Sequence, residues 1–260
     1  MAFDLNSISR SGAQKMAPRI VVHGPHGIGK TTFAANAPKP VFIPTEDGLV
    51  GVDVDSFPLA TEYTHVKSAL SSIADSDYKT IVIDSADWLE ALIHKHTAKE
   101  HGKDNIETFG YGKGYVLALS HWRELLKILD WYRSNKDMTI IFLSHSEIKR
   151  FDSPDSESFD RYFIKWHKAA SALLLEWADV VGFANWMMLT KESDTGFGQK
   201  RVRGIGTGER ILYLEERPSH IAKSRYALPQ RLPLTWEAFE TALQKSRNPK
   251  TEDINDGTVA

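Results

Sequence analysis

The chain has 260 residues, 42% hydrophobic and 25% charged, which excludes collagen-like, coiled-coil and wholly disordered classes and leaves an ordinary globular domain. Its 32 lysines and arginines against 34 aspartates and glutamates leave a formal charge of -2, so no global positive field recruits nucleic acid or an anionic membrane, and any such contact has to be local. With no cysteine there is no disulfide framework, thiolate metal site or thiol nucleophile, and no stretch reaches the ~20 apolar residues of a membrane span, so a cytoplasmic protein without a membrane partner is expected.

Residues 1–18 are polar and aperiodic and end in Ala17-Pro18, which predicts a flexible N-terminal arm. Arg19-Ile20-Val21-Val22-His23 is a β-branched run meeting a glycine cluster, and Thr31 to Ala37 reads as a short helix stopped by Pro38. A strand follows at Pro40 to Pro44, then a helix in which Val66, Ala69, Leu70 and Ile73 recur at i, i+3, i+4 and i+7. Thr80-Ile81-Val82-Ile83 is continuously apolar, as a strand covered on both faces is. Leu89, Leu92 and Ile93 mark the next helix, Val116 to Leu129 a longer one, and Met138 to Leu143 another buried strand. This alternation predicts an α/β fold with a doubly wound, mainly parallel sheet. Beyond residue 145 come a Ser/Asp-rich loop, a helix from about Tyr162 to Trp177, and a fifth strand at Val180 to Ala184. Short strand candidates at Trp186 to Thr190, Arg201 to Arg203 and Arg210 to Leu214, separated by glycines, suit an antiparallel C-terminal edge. The predicted domain covers residues 19–244, and residues 245–260 lack apolar periodicity, as a disordered tail does.

The strongest chemical signal is Gly24-Pro25-His26-Gly27-Ile28-Gly29-Lys30-Thr31, which satisfies G-x-x-x-x-G-K-[ST] between a strand and a helix. In such a loop, backbone N–H groups from Gly24 to Thr32 wrap phosphate at the helix N-terminus, Lys30 neutralises β/γ oxygens and the Thr31 hydroxyl ligates Mg²⁺. A Mg²⁺-nucleotide site also wants a carboxylate at the end of a neighbouring buried strand; Asp84 supplies it, and it is equally placed to cap the next helix. Position 85 is serine, where many ATPases carry a glutamate, so the nominated base for activating water is Glu46, after the second strand. As part of Glu46-Asp47-Gly48 it also fits a solvated turn.

With its P-loop, a glutamate after strand two, Ile-Asp-Ser at strand three and a polar residue closing strand four, the chain resembles the RecA-like P-loop ATPases over about residues 19–230. More narrowly it is similar to small phage nucleotide-binding proteins of that superfamily, some of which act as RecA/Rad51-type single-strand annealing proteins beside a single-strand binding protein. The resemblance implies ATP as the nucleotide, the host cytoplasm as location, single-stranded DNA as partner, and a homo-oligomer, ring or filament, with nucleotide at subunit interfaces. It places His145 at the γ-phosphate-sensing position, often glutamine in that family, and Lys223 and Arg225 as a Lys-x-Arg pair reaching the neighbouring subunit's nucleotide. A strand-end histidine and a solvated basic edge are the plainer readings of these residues.

The family's two DNA-contacting loops correspond to residues 101–114 and 146–161. Tyr111 and Lys113, among interleaved glycines and aromatics, suit a platform for unpaired bases or a Gly-rich helix start. Lys149 and Arg150 belong to a loop whose cations are outnumbered by its acids. Lys200-Arg201-Val202-Arg203 is a denser basic run, though cations on an edge strand also prevent aggregation. His94, His96 and His101 read as solvated helix positions, so no metal beyond Mg²⁺ is expected. Three other functions fit the same P-loop: a replication helicase accessory or loader, a small-molecule or nucleotide kinase with Gln199 to Arg210 as a lid, and a non-hydrolysing scaffold.

Overall fold

Apolar side chains at consecutive positions of β1 (Arg19–Gly24) can be buried only between two layers, and the architecture provides them. The computed structural model describes residues 16–153, 157–194 and 200–248. After β1 come α1 (Lys30–Ala35), β2 (Pro40–Pro44), the two-residue β3 (Asp55–Ser56), α2 (Tyr63–Ile73), β4 (Thr80–Asp84) and α3 (Ala86–Glu100). A 3₁₀ turn at Ile106–Phe109 leads into α4 (Lys113–Lys136), then β5 (Thr139–Phe151), β6 (Phe159–Ile164), α5 (Lys168–Trp177) and β7 (Val180–Asp194). β8 (Lys200–Tyr213), β9 (Lys223–Ser224), β10 (Arg231–Pro233) and α6 (Trp236–Arg247) complete the chain.

The sheet runs β10-β8-β7-β1-β5-β4-β2-β3. From β7 to β3 every pairing is parallel, whereas β8 and β10 join antiparallel, so the mainly parallel sheet with an antiparallel C-terminal edge is the observed fold. β5 is inserted between β1 and β4, and this order brings the ends of β1 and β4 to the middle of β5, at Leu143 to His145. Successive residues face opposite layers: on β5, Ile140 and Phe142 pack with Trp122, Leu125 and Leu129, while Ile141 and Leu143 pack with Phe33 and Phe239. Both sets are fully buried, hence the unbroken apolar run.

Three expectations need correction. The segment 146–161 is largely a β-hairpin, because β5 continues to Phe151 and pairs antiparallel with β6 from Ser146↔Ile164 to Phe151↔Phe159. Phe151 also packs on Phe159 and Phe163, a cross-strand aromatic cluster that extends the strands, and the helix expected from Tyr162 starts only at Lys168. The short C-terminal strands are two long ones, β7 and β8, paired from Phe183↔Tyr213 to Asp194↔Lys200 with a register shift between Trp186 and Met188.

Both ends of the described chain are packed. Ala17 is buried, its N–H donating to Asp137 Oδ1 and its carbonyl accepting from Arg133 Nε, so the domain takes in the last residues of the expected arm. At the other end, α6 buries Trp236, Phe239 and Leu243 and continues to Arg247, its last-turn cations matching the helix dipole. The arm up to residue 15, the tail from residue 249 and the side chains of the Lys200 to Arg203 run lie outside the described residues. Among the described residues no helix is long and apolar enough to cross a membrane.

Candidate functional site

Register places the site. Gly24 on β1 pairs with His145 on β5, Leu143 with Asp84 on β4, and Asp84 with Pro44 on β2, so β1, β4 and β2 end level along one edge of the sheet, where β5 runs on into its hairpin with β6. Each chain segment leaving that edge contributes to a cavity of about 370 Å³ lined by Gly27, Gly29, Lys30, Thr31, Glu46, Asp84, His145 and Arg210, among others.

The loop after β1 turns through Gly27 at φ 70° and Gly29 at φ 108°, backbone conformations that side-chain-bearing residues avoid, and then opens α1. Lys30 is buried and donates to the carbonyls of Gly24 (3.1 Å) and Pro25 (3.0 Å), its Nζ folded back on its own loop. Burial lowers its pKa, and the carboxylates of Asp84, Asp87 and Glu46 pull it the other way. Thr31 Oγ1 donates to Asp84 Oδ2 at 2.8 Å. Burial pushes the Asp84 carboxyl up, opposed by the Thr31 hydrogen bond and by Lys30. The first helical hydroxyl and the strand-end acid therefore meet, within one hydrogen bond of each other.

Glu46 is pinned from below. Thr45 N–H (2.8 Å) and Glu46 N–H (3.4 Å) donate to the Asp84 carbonyl, and Thr45 Oγ1 donates to the Ser85 carbonyl at 2.6 Å. The Glu46 Oε1 atom lies 3.7 Å from His145 Nε2. Burial raises the Glu46 pKa and the His145 ring opposes the rise. His145 itself is buried and stacks on His26 at a centroid distance of 3.8 Å, and that ring lowers the His26 pKa.

Two residues at this site were not legible in the sequence. Asp87, in the first turn of α3, takes His145 Nδ1 at 2.9 Å and the His145 backbone N–H at 3.1 Å, and Ser144 Oγ donates to it at 3.2 Å. Burial alone would raise the Asp87 carboxyl; the bonds from His145 outweigh it and hold the group at about 2. An ionised carboxylate only accepts, so Nδ1 carries the proton and Nε2 faces Glu46 as an acceptor in the neutral ring or a donor in the cation. The acid three positions after Asp84 was the available signal. The other is Arg210 of β8: its Nη1 comes within 3.0 Å of where a Cβ on Gly29 would stand, and its guanidinium lies over Trp186 at 5.1 Å. The sequence offers Arg210 only as the end of a candidate lid, Gln199 to Arg210; the β7–β8 pairing is what carries it over the P-loop.

The remaining sequence-predicted residues lie away from the cavity. Lys223 Nζ donates to the carbonyls of Leu175 (2.6 Å) and Ala178 (2.9 Å) at the C-terminal end of α5, and Arg225 pairs with Asp179 at 2.9 Å and donates to the Glu176 carbonyl. Both cations thus hold a helix end within their own chain. Tyr111 is fully exposed at φ 48° between Gly110 and Gly112, and Lys113 begins α4. A Cβ on the next residue, Gly114, would stand 2.4 Å from the Ile106 carbonyl, so this glycine serves the close approach of the helix start. Lys149 and Arg150 sit on the β5–β6 hairpin, Lys149 pairing with Glu147 at 2.6 Å and Arg150 lying opposite Asp160.

The family profile described as an AAA domain (AAA_24) matches residues 16–226. The chain belongs to this P-loop ATPase family. Over 221 residues it is 22% identical to the SPbeta prophage-derived uncharacterized protein YorG of Bacillus subtilis (strain 168), an alignment covering 80% of this chain and 59% of the length of that relative. The crystal structure of the RadB recombinase is similar over 80% of this chain and 86% of that one, at 17% identity and a TM-score of 0.42. Membership of the AAA_24 family accounts for the P-loop, and the sheet of this member has mostly parallel strands flanked by helices.

Proposed function

We propose that this AAA_24 protein is a Mg²⁺-dependent ATPase that assembles on single-stranded DNA and promotes annealing or recombination in a phage setting. The observation that carries the ATPase reading is the convergence of Lys30, Thr31, Asp84, Glu46 and His145 on one cavity from separate strand ends. Lys30 would exchange its loop carbonyls for β/γ oxygens of ATP, while P-loop N–H groups receive the phosphate chain. Thr31 and Asp84 would hold Mg²⁺, which would supply charge neutralisation to the phosphate chain. Glu46 takes the proton of the attacking water; burial raises its pKa towards the working pH, where a base is most effective. His145, oriented by Asp87, reads the terminal phosphate through Nε2. Arg210 neutralises transition-state charge in cis, since Lys223 and Arg225 would reach a neighbouring nucleotide only by releasing the end of α5.

Support for the DNA role is the exposed Tyr111 ring on its glycine-flanked turn beside Lys113, together with the resemblance of the motif order to RecA-like proteins. The prophage origin of the YorG relative supports the phage setting. A homo-oligomer with nucleotide at subunit boundaries, with a single-strand binding protein as companion, completes the proposal.

The test is ATP hydrolysis with and without single-stranded DNA, with assembly followed by light scattering. Turnover should rise with DNA and protein concentration, fall at least about 100-fold in Lys30→Ala and fall roughly 100- to 10,000-fold in Glu46→Gln with ATP binding retained. Turnover indifferent to both DNA and protein concentration would overturn the recombination reading and leave a kinase or a partner-driven ATPase.

A further inference from the structure

Away from the phosphate site, α3 and α4 bring together side chains that the chain separates. His96 and Glu100 are one turn apart on the same face of α3, and His121 faces them from α4. Their ligand-capable atoms all lie within 4.8 Å of one another. His121 Nε2 and Glu100 Oε2 are 3.0 Å apart, and the His96 and His121 rings meet at 4.9 Å with planes 77° apart. Tyr63 packs against both rings, and its hydroxyl donates to the His121 carbonyl at 3.0 Å, so the backbone behind that ligand is anchored. A separate cavity of about 290 Å³, lined by Tyr63, Leu92, Lys95, His96, Lys99 and Glu100, opens against the cluster.

We infer that His96, Glu100 and His121 form a zinc-class metal site that clasps α3 to α4, with a fourth position open to this cavity. Two imidazoles and one carboxylate are a borderline nitrogen/oxygen set suited to Zn²⁺ or Co²⁺ and poorly suited to Mg²⁺, which prefers oxygen ligands. Tetrahedral bonds near 2.0–2.1 Å put ligand atoms about 3.3 Å apart, and the exposed Glu100 and half-buried His96 have the freedom to close from their present spacing.

The test uses the full chain, stripped with chelator, kept in excess Mg²⁺ to fill the phosphate site and free of nucleotide. Titrated Co²⁺ should bind one equivalent with the ligand-field spectrum of a tetrahedral site and be displaced by Zn²⁺. Zn²⁺ at a hundredfold excess over its Kd should raise Tm by roughly 5 to 10 °C. His96→Ala and Glu100→Gln, both towards solvent and checked for fold by circular dichroism, should weaken uptake by about 10- to 100-fold. Absence of Co²⁺ uptake by the wild-type chain, or equal uptake by both variants, would overturn the inference and leave the cluster as a His121–Glu100 ion pair.

Discussion

The carboxyl edge of the parallel sheet and the exposed turns beside it hold their charges in opposite ways. At the sheet edge Asp84 and His145 are buried and the Asp87 side chain is only 5% exposed, and they are hydrogen-bonded to one another or to Thr31, so each side chain has one position. Away from that edge Tyr111 stands fully exposed on its turn, and Lys149, on the β5–β6 hairpin, pairs with a neighbour two residues away. Where strand ends impose the geometry, register gives each side chain its place; where solvent surrounds the side chain, nothing does. α3 repeats the contrast within one turn. Asp87 is held at about 2 because His145 repays its burial, whereas burial pushes Glu90 to about 7, with the His167 backbone N–H offsetting only part of it.

The sharpest way to break the comparison is at Asp87. In Asp87→Asn the carboxylate that sets the His145 tautomer is gone, and ATP turnover should drop about 100-fold with nucleotide affinity unchanged, measured by steady-state kinetics beside equilibrium binding. Unchanged turnover would separate the His145–Asp87 pair from the chemistry. Glu90 makes the opposite prediction. Its folded-state pKa is raised, so its contribution to stability is full below about 4.5 and is lost as pH rises through about 7. Glu90→Gln should therefore stabilise the protein above pH 7, by on the order of 2 kcal/mol, and change little below pH 4.5, as thermal melts across that range would reveal.

Smaller effects sharpen the line between in-chain cations and surface ones. Arg225→Ala removes a partly exposed pairing with Asp179 and a bond to the end of α5, and should lower Tm by roughly 2 to 4 °C, corresponding to about 1 kcal/mol. A large loss of turnover at unchanged Tm would instead mark it as a cation acting on a neighbouring subunit. Tyr111→Ala combined with Lys113→Ala should leave stability within about 0.5 kcal/mol and weaken salt-dependent binding to single-stranded DNA. Binding that survives the pair would remove this turn from the DNA surface.

The sequence by itself determined the alternation of strands and helices, the phosphate loop, the carboxylate Asp84 closing its buried strand and the position of Glu46 just after its own. These are written in short windows, as apolar period, turn residues and fixed spacing, and one strand-loop-helix unit is enough to realise each. Only the tertiary structure decided that β5 lies between β1 and β4, that Asp87 holds His145, that Arg210 arrives over Gly29, and that Lys223 and Arg225 close the end of α5. The same holds for His121 meeting His96 and Glu100. Each of these joins elements far apart in the chain, and their meeting depends on strand order and helix packing, which the burial of two apolar faces settles for the whole molecule at once.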